Sequence, residues 1–258
     1  MIKCVTISTY HKTLNDNDTI LDFKKQNLDN FYILFDNYQN LNYSFIKKSY
    51  DNANICDYKE IEFNNFGFNK PIDRRHRWGN HQNPKYFYAH FRMLVMYLKY
   101  SDYDYYWFFD DDVTFKGNIK NFLSIYDNIN DDFIAIQAFK KENYTEFPKI
   151  SVLNDRMLGS HGSWLNMCPG PGDNFKNTER HIGSFFPIVR YSNRAMSYLY
   201  KIHQEGYYGY SEGFVPTSLG SAGFSVSSML DEHNNFFIPN DTDCTLFHKW
   251  INFTWEWL

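Results

Sequence analysis

The sequence contains no uninterrupted apolar run near the ~20 residues needed to cross a bilayer, and it carries no surplus of positive charge. Its 26 Lys and Arg stand against 30 Asp and Glu, a formal net charge of −4, so it offers no electrostatic footprint for a polyanion and nucleic acid is not expected as a partner. Cysteine is scarce and scattered. Cys4, Cys56, Cys168 and Cys244 form no C-x-x-C pair, which speaks against a zinc knuckle or a disulfide framework and for a reduced compartment. No internal repeat is visible, and the stretch after the first apolar run, Ser8-Thr-Tyr-His-Lys12, has no glycine with which to build a phosphate-cradling loop. Met1 leads into Ile2–Ser8, a β-branched run that reads as a core strand and not as a signal peptide, so a cytoplasmic protein is expected. Four Asn-x-Ser/Thr triplets, beginning at Asn42, Asn143, Asn240 and Asn252, are what an Asn-rich chain produces by chance.

Aromatic residues, by contrast, abound: 21 Tyr and 25 Phe help bring the aromatic share to 20%, more than one core requires. Their placement shows an alternating α/β pattern. Lys3–Tyr10 and Phe31–Phe35 are apolar runs ending in polar residues, as buried strands with functional carboxyl ends do. Residues 64–84, rich in Asn, Gly, Pro and Arg, read as a loop. Asn83-Pro84 then opens a helix with Phe87, Phe91, Leu94, Val95 and Leu98 on one face. Tyr105–Phe109 is apolar on both faces, like a central strand covered on each side, and runs directly into Asp110-Asp111-Asp112. A helix through Ile119, Phe122, Leu123, Tyr126 and Ile129 and a strand at Phe133–Ile136 continue the alternation. Periodicity lapses from Ser151 to Arg180, around Pro169-Gly170-Pro171-Gly172. It resumes with a short strand at Phe185–Val189, a helix capped by Ser192 that stops at Gly206, and another helix starting near Ser211-Glu212. The expected fold is a single α/β domain over residues 1–258 with an open, mixed, mostly parallel sheet flanked by helices.

Chemistry concentrates at the Asp triplet. Three carboxylates at a buried strand's end raise one another's pKa unless a cation lies between them. Carboxyl ends of strands are where open α/β sheets bind ligands, and hard oxygen donors suit Mg²⁺ or Mn²⁺ bridging a diphosphate. A solvated Asp-rich turn is the bland alternative.

The stretch Tyr103–Val113, preceded by a helix carrying Arg92, resembles the DxD region of GT-A fold glycosyltransferases. Ser192-Asn-Arg-Ala-Met196 and Gly209–Thr217 are similar to the later part of that fold, where a carboxylate at a helix start faces the acceptor. The resemblance implies a Rossmann-like domain with a nucleotide-sugar-binding half over 1–118 and an acceptor-binding half over 119–258. It implies metal ligation by Asp110, Asp112 and His248, with His233 in reserve, and donor contacts from Asp110 and Asp111. Thr9, Tyr10, Asp36 and Arg92 match its nucleotide-contacting positions through their elements and strand ends. Glu212 would be the general base of an inverting transfer from a nucleotide-sugar, UDP-sugar first among candidates, to a hydroxyl of a glycan or lipid-linked acceptor, with peripheral contact at the inner membrane face. Two readings compete. Gly209-Tyr-Ser211-Glu-Gly213 also satisfies the G-x-S-x-G elbow of α/β-hydrolases with Ser211 as nucleophile, though the polar stretch before it does not look like the required strand. A non-catalytic carbohydrate-binding protein would explain the aromatics without any need of Glu212.

Overall fold

The computed structural model describes residues 1–67, 89–111, 113–140, 182–205, 207, 211–229 and 245–248. The loop expected at 64–84 beyond Gly67, the Asn83-Pro84 helix start, the 151–180 segment, Asp112, Gly206, His233, Cys168 and Cys244 lie outside them.

Seven strands form the main sheet in the order β3-β2-β1-β4-β7-β6-β8. Here β1 is Lys3–Thr9, β2 Phe31–Asp36, β3 Ile55–Tyr58, β4 Tyr105–Asp110, β6 Phe133–Lys140, β7 Ile182–Ser192 and β8 Val226–Ser228. Strands β1 to β4 are mutually parallel, β7 runs antiparallel between β4 and β6, and β8 pairs parallel with β6. A separate two-stranded ribbon joins β5, Val113–Lys116, to β9, Thr245–His248. The helices are α1 (Asp18–Lys25), α2 (Tyr43–Ser49), α3 (Glu60–Asn65), α4 (Ala89–Lys99), α5 (Ile119–Ile125), α6 (Asn193–Gln204) and α7 (Ser211–Ser221). Among the described residues no helix is long and apolar enough to cross a membrane.

Period-two alternation along the strands divides the core into two layers. On one face Cys4, Leu34, Cys56, Tyr106, Phe108, Val189 and Tyr191 pack under α4, α6 and α7. On the other, Val5, Ile7, Ile33, Phe35, Trp107, Phe109 and Ile134 pack under α1, α2 and α5. β4 therefore feeds both layers, which is why its sequence is aromatic without alternation. Phe109 is fully buried and meets Phe23 of α1 edge-on at 5.0 Å between centroids.

β7 is longer than the apolar run Phe185–Val189 suggests, since it extends to Ile182 on one side and through Arg190 to Ser192 on the other. Pro187 falls where the β6–β7 register slips: Ala135 pairs with Val189 but Ile136 with Phe185. A residue without an N–H is tolerated at such a bulge. Arg190, fully buried, donates to the carbonyls of Tyr126 (2.8 Å), Ile129 (2.7 Å) and Asp131 (2.9 Å), with its guanidinium 4.4 Å above the Tyr105 ring. Ser192 ends the strand and caps α6 by accepting from Ala195 N–H at 3.1 Å, the role its sequence position predicts.

Strand order reverses between β1 and β4, since β2 and β3 lie on one side of β1 and β4 on the other. A doubly wound sheet opens a crevice at such a reversal, at the carboxyl ends of the strands.

Truncating Phe109 to Ala should cost about 3–5 kcal/mol of stability, the range for deleting a buried aromatic ring. Urea unfolding checks it; a loss below ~1 kcal/mol would mean that β4 is not the packed centre of both layers.

Candidate functional site at the strand ends

The parallel register sets the site. Ser8 pairs with Asp110 and Thr9 with Phe35, so the last residues of β1, β2 and β4 finish side by side. Thr9, Asp36, Asp110 and, one residue on, Asp111 thus converge at one end of the sheet. Tyr58 ends β3 opposite Asp36. Burial pushes the Tyr58 hydroxyl pKa far up, Arg92 pulls it down, and Asp36 and Asp110 push it further up, so each of these three charged groups lies within electrostatic reach of Tyr58.

Arg92 comes from the first turn of α4 and forms a charge-assisted hydrogen bond to Asp110 Oδ1. Both side chains are only partly accessible, 16% for Arg92 and 27% for Asp110, so the pair is less screened than a surface bridge. The Asp111 carboxylate accepts from Thr9 Oγ1 at 2.8 Å and faces His11 Nε2 at 3.4 Å. His11 is itself fixed: the Tyr50 hydroxyl donates to its carbonyl at 2.6 Å, its N–H donates to Thr9 Oγ1 at 3.1 Å, and its ring stacks on Tyr10 at 4.8 Å. Tyr10 is 44% exposed.

The backbone on either side of position 112 is clamped by α1. Asn17 accepts from Ile20 N–H at 2.9 Å as N-cap and also donates to the Asp111 carbonyl at 3.4 Å, while Thr19 Oγ1 donates to the Val113 carbonyl at 2.6 Å. Val113 then pairs with His248 across the β5–β9 ribbon. The backbone of His248 therefore runs beside the residue that follows Asp112, although Asp112 and the His248 side chain lie outside what is described. Among the described residues no three His, Cys, Asp or Glu side chains gather closely enough to hold a metal ion.

Glu212 reaches the same end of the sheet by a different route. Because Ile188 pairs with Phe109, the first residues of β7 project past the carboxyl end of β4. Ser184 Oγ in that projection donates to the Glu212 carbonyl at 3.3 Å, and Thr217 Oγ1 both accepts from Ile182 N–H (3.0 Å) and donates to its carbonyl (3.1 Å). Ser184 lies in this projection, so α7 starts beyond the level of Phe109. Of residues 211–219, every one but Glu212 is buried.

Sequence reasoning missed His11 as a site residue and did not single out His90. His11 was announced by the polar ending of β1, whereas His90 is hidden on a helix of mostly buried residues. His90 Nδ1 lies 2.7 Å from Ser211 Oγ, and its Nε2 lies 2.9 Å from His203 Nε2. Ser211 is 1% exposed and therefore out of reach of an incoming ester or amide, which removes the main support for the nucleophile-elbow reading.

No family model and no curated protein matches the sequence. Solved structures with a similar course of the chain include mouse xyloside xylosyltransferase 1 in its apo form, at 9% identity over 97% of this chain and 99% of that one, TM-score 0.46. The apo WbbM bifunctional glycosyltransferase is similar at 13% identity over 88% of this chain, TM-score 0.44, and this chain spans 38% of its length. The Saccharomyces cerevisiae mannosyltransferase Ktr4p in complex with GDP is similar at 11% identity over 87% of this chain and 66% of that one, TM-score 0.43. These are distant likenesses of chain path and assign no chemistry.

Burial holds both ring histidines in the neutral state. His90 is pushed well below 6.5 by burial and then by His203, and His203 is pushed down to about 4 by burial against a smaller upward pull from the Tyr207 backbone. Between pH 6.5 and about 4 the unfolded chain binds these protons and the folded chain does not, so stability falls as pH falls. The slope is about 1.4 kcal/mol per pH unit for each histidine. Urea midpoints at pH 7 and pH 5 should show this loss; equal midpoints would mean that the pair is hydrated or already charged in the folded protein.

Proposed function

We propose that the chain is a metal-dependent glycosyltransferase that moves a sugar from a nucleotide-sugar to a hydroxyl acceptor. One observation carries the reading: the ends of β1, β2 and β4 bring Thr9, Asp36, Asp110 and Asp111 to one end of the sheet where the strand order reverses, with Arg92 bonded to Asp110. Paired hard carboxylates at such a crevice suit a nucleoside diphosphate carried with a divalent cation.

In this reading Asp110 and Asp112, with His248 as a third ligand, would hold Mn²⁺ or Mg²⁺, which when bound would supply charge neutralisation at the diphosphate. The chain's own residues do the rest. Thr9 and His11 fix the Asp111 carboxylate, which is left to orient the donor, and Asp36 lies at the end of the neighbouring strand to accept from the ribose. Tyr10, exposed and backed by His11, offers a stacking face to the base. Arg92 holds the Asp110 carboxylate in one rotamer before ligand arrives, so less ordering is left for binding to accomplish. Glu212 removes the proton from the acceptor hydroxyl, and its position on the projecting side of β7 suits attack from the face opposite the diphosphate, with inversion. Residues 1–118 then serve the donor and 119–258 the acceptor, a glycan or a lipid-linked saccharide at a membrane's inner face.

Thermal unfolding with UDP, GDP, CMP and their sugar conjugates, each with and without Mn²⁺, tests the donor half. A ligand at 100 times its Kd adds about 2.7 kcal/mol, a shift of roughly 2–4 °C for a chain this size. The expected result is a Mn²⁺-dependent shift with one nucleotide, UDP being tried first, that disappears in Asp112→Ala. Glu212→Gln should keep that shift and lose at least about 100-fold in transfer. Absence of a shift with every nucleotide would sink the reading, and unchanged transfer in Glu212→Gln would remove Glu212 from it. A carbohydrate-binding protein would instead shift with free glycans and without Mn²⁺.

A further inference from the structure

A buried polar chain joins three helices behind the strand-end site. His90 Nε2 of α4 lies 2.9 Å from His203 Nε2 of α6, so in the neutral pair one of these nitrogens carries a proton and the other accepts it. His90 Nδ1 lies 2.7 Å from Ser211 Oγ of α7, and the same Ser211 oxygen accepts the backbone N–H of His90 at 3.3 Å. The two rings and the hydroxyl thus tie α6, α4 and α7 together through directed contacts.

An apolar trio could fill this volume without desolvating three polar side chains, so packing alone does not call for them. α7 supplies a reason. Its residues are buried on all sides over more than two turns from Ser211 to Leu219, Glu212 excepted, so no polar face sets its rotation about its own axis. Directed hydrogen bonds fix such a rotation where apolar contacts let a helix slide or turn. The chain attaches to α7 at Ser211, next to Glu212, and to α4 at His90, two residues before Arg92.

We propose that Ser211, His90 and His203 are positioning residues that lock the first turn of α7, and with it the Glu212 carboxylate, to the helix whose Arg92 holds Asp110. None of the three touches substrate. The proposal rests on the reading of Glu212 as the base for its consequence in catalysis, but the lock itself can be measured without any turnover.

Long-range ¹H–¹⁵N spectra of the wild-type histidines at pH 7 should show one of the two facing Nε2 atoms of His90 and His203 protonated and the other bare; two bare or two protonated Nε2 atoms overturn the chain. Hydrogen exchange of the α7 amides should quicken in Ser211→Ala and His203→Leu and stay near wild type in His203→Gln, whose amide can donate or accept in place of the ring nitrogen. Steady-state transfer should show kcat reduced about 10–100-fold in the first two variants, as for a base misplaced by about 1 Å, with KM for the nucleotide-sugar little changed and activity restored in His203→Gln. Equal behaviour of His203→Gln and His203→Leu, or kcat and nucleotide binding falling together, would reduce the cluster to ordinary core and overturn the proposal. If the wild type transfers no sugar at all, the reading of Glu212 as a base fails, while the tautomers and the exchange rates still decide whether the lock exists.

Discussion

Ending parallel strands side by side imposes an electrostatic cost when their last residues are acidic. Asp36, Asp110 and Asp111 are set at one sheet end by the register of β1, β2 and β4, and mutual repulsion at a half-buried position destabilises the ionised forms. Arg92 is the described cation that meets this cost, and it can do so because α4 lies across the same face of the sheet with its first turn at the strand ends. Thr9, His11 and the α1 cap then fix the second carboxylate and the backbone around it. The rest of the first half of the chain serves to hold this arrangement: β4 anchors two hydrophobic layers with alternate aromatic rings, so it cannot slide without moving both.

The first half was the more legible part of the sequence for that reason. A strand aromatic on both faces and ending in carboxylates admits few placements other than the middle of a layered sheet. The caps at Ser192 and the helix start at Ser211 were also written locally, in residue types whose side chains act within a few positions. What could not be seen depended on partners distant in sequence. Arg190 looks like the end of a strand until the carbonyls of Tyr126, Ile129 and Asp131 are brought to it. His90 sits on a helical face with Phe91, Leu94 and Val95, where a histidine reads as core, and only the arrival of Ser211 and His203 from more than 100 residues away gives it partners.

The described part of the second half of the chain is tied together by buried polar groups. Asp132 is bonded by Arg194, Ser192 Oγ (2.8 Å) and Ser225 N–H and Oγ (3.1 Å each), joining the start of β6, the end of β7 and the approach to β8. Burial pushes its carboxyl pKa up, and the bonds from Arg194, Ser192 and Ser225 outweigh burial and hold it below its ordinary value of 3.8. Arg190 does the same work for the turn after α5. Groups of this kind add little net stability, because desolvation consumes most of what the bonds return, yet removing one partner strands the other in the core at a cost of about 3–5 kcal/mol.

That asymmetry has a consequence for how the two halves can vary. At the strand ends Arg92, Asp110 and Asp111 keep partial contact with water, so a change there leaves the core intact. The side carrying Glu212 depends on interlocked buried groups, where single substitutions are penalised and only matched changes are tolerated. α7 is the extreme case, since its apolar surface offers the sheet many near-equivalent ways to pack and its orientation is selected by Thr217 at the Ile182 backbone and Ser211 at His90. The half-buried carboxylate at its start therefore inherits its position from two polar contacts about one and a half turns apart, one on the sheet and one on α4. A rigid helix held at two such points has little freedom left in either rotation or tilt, and a side chain in its first turn is placed accordingly.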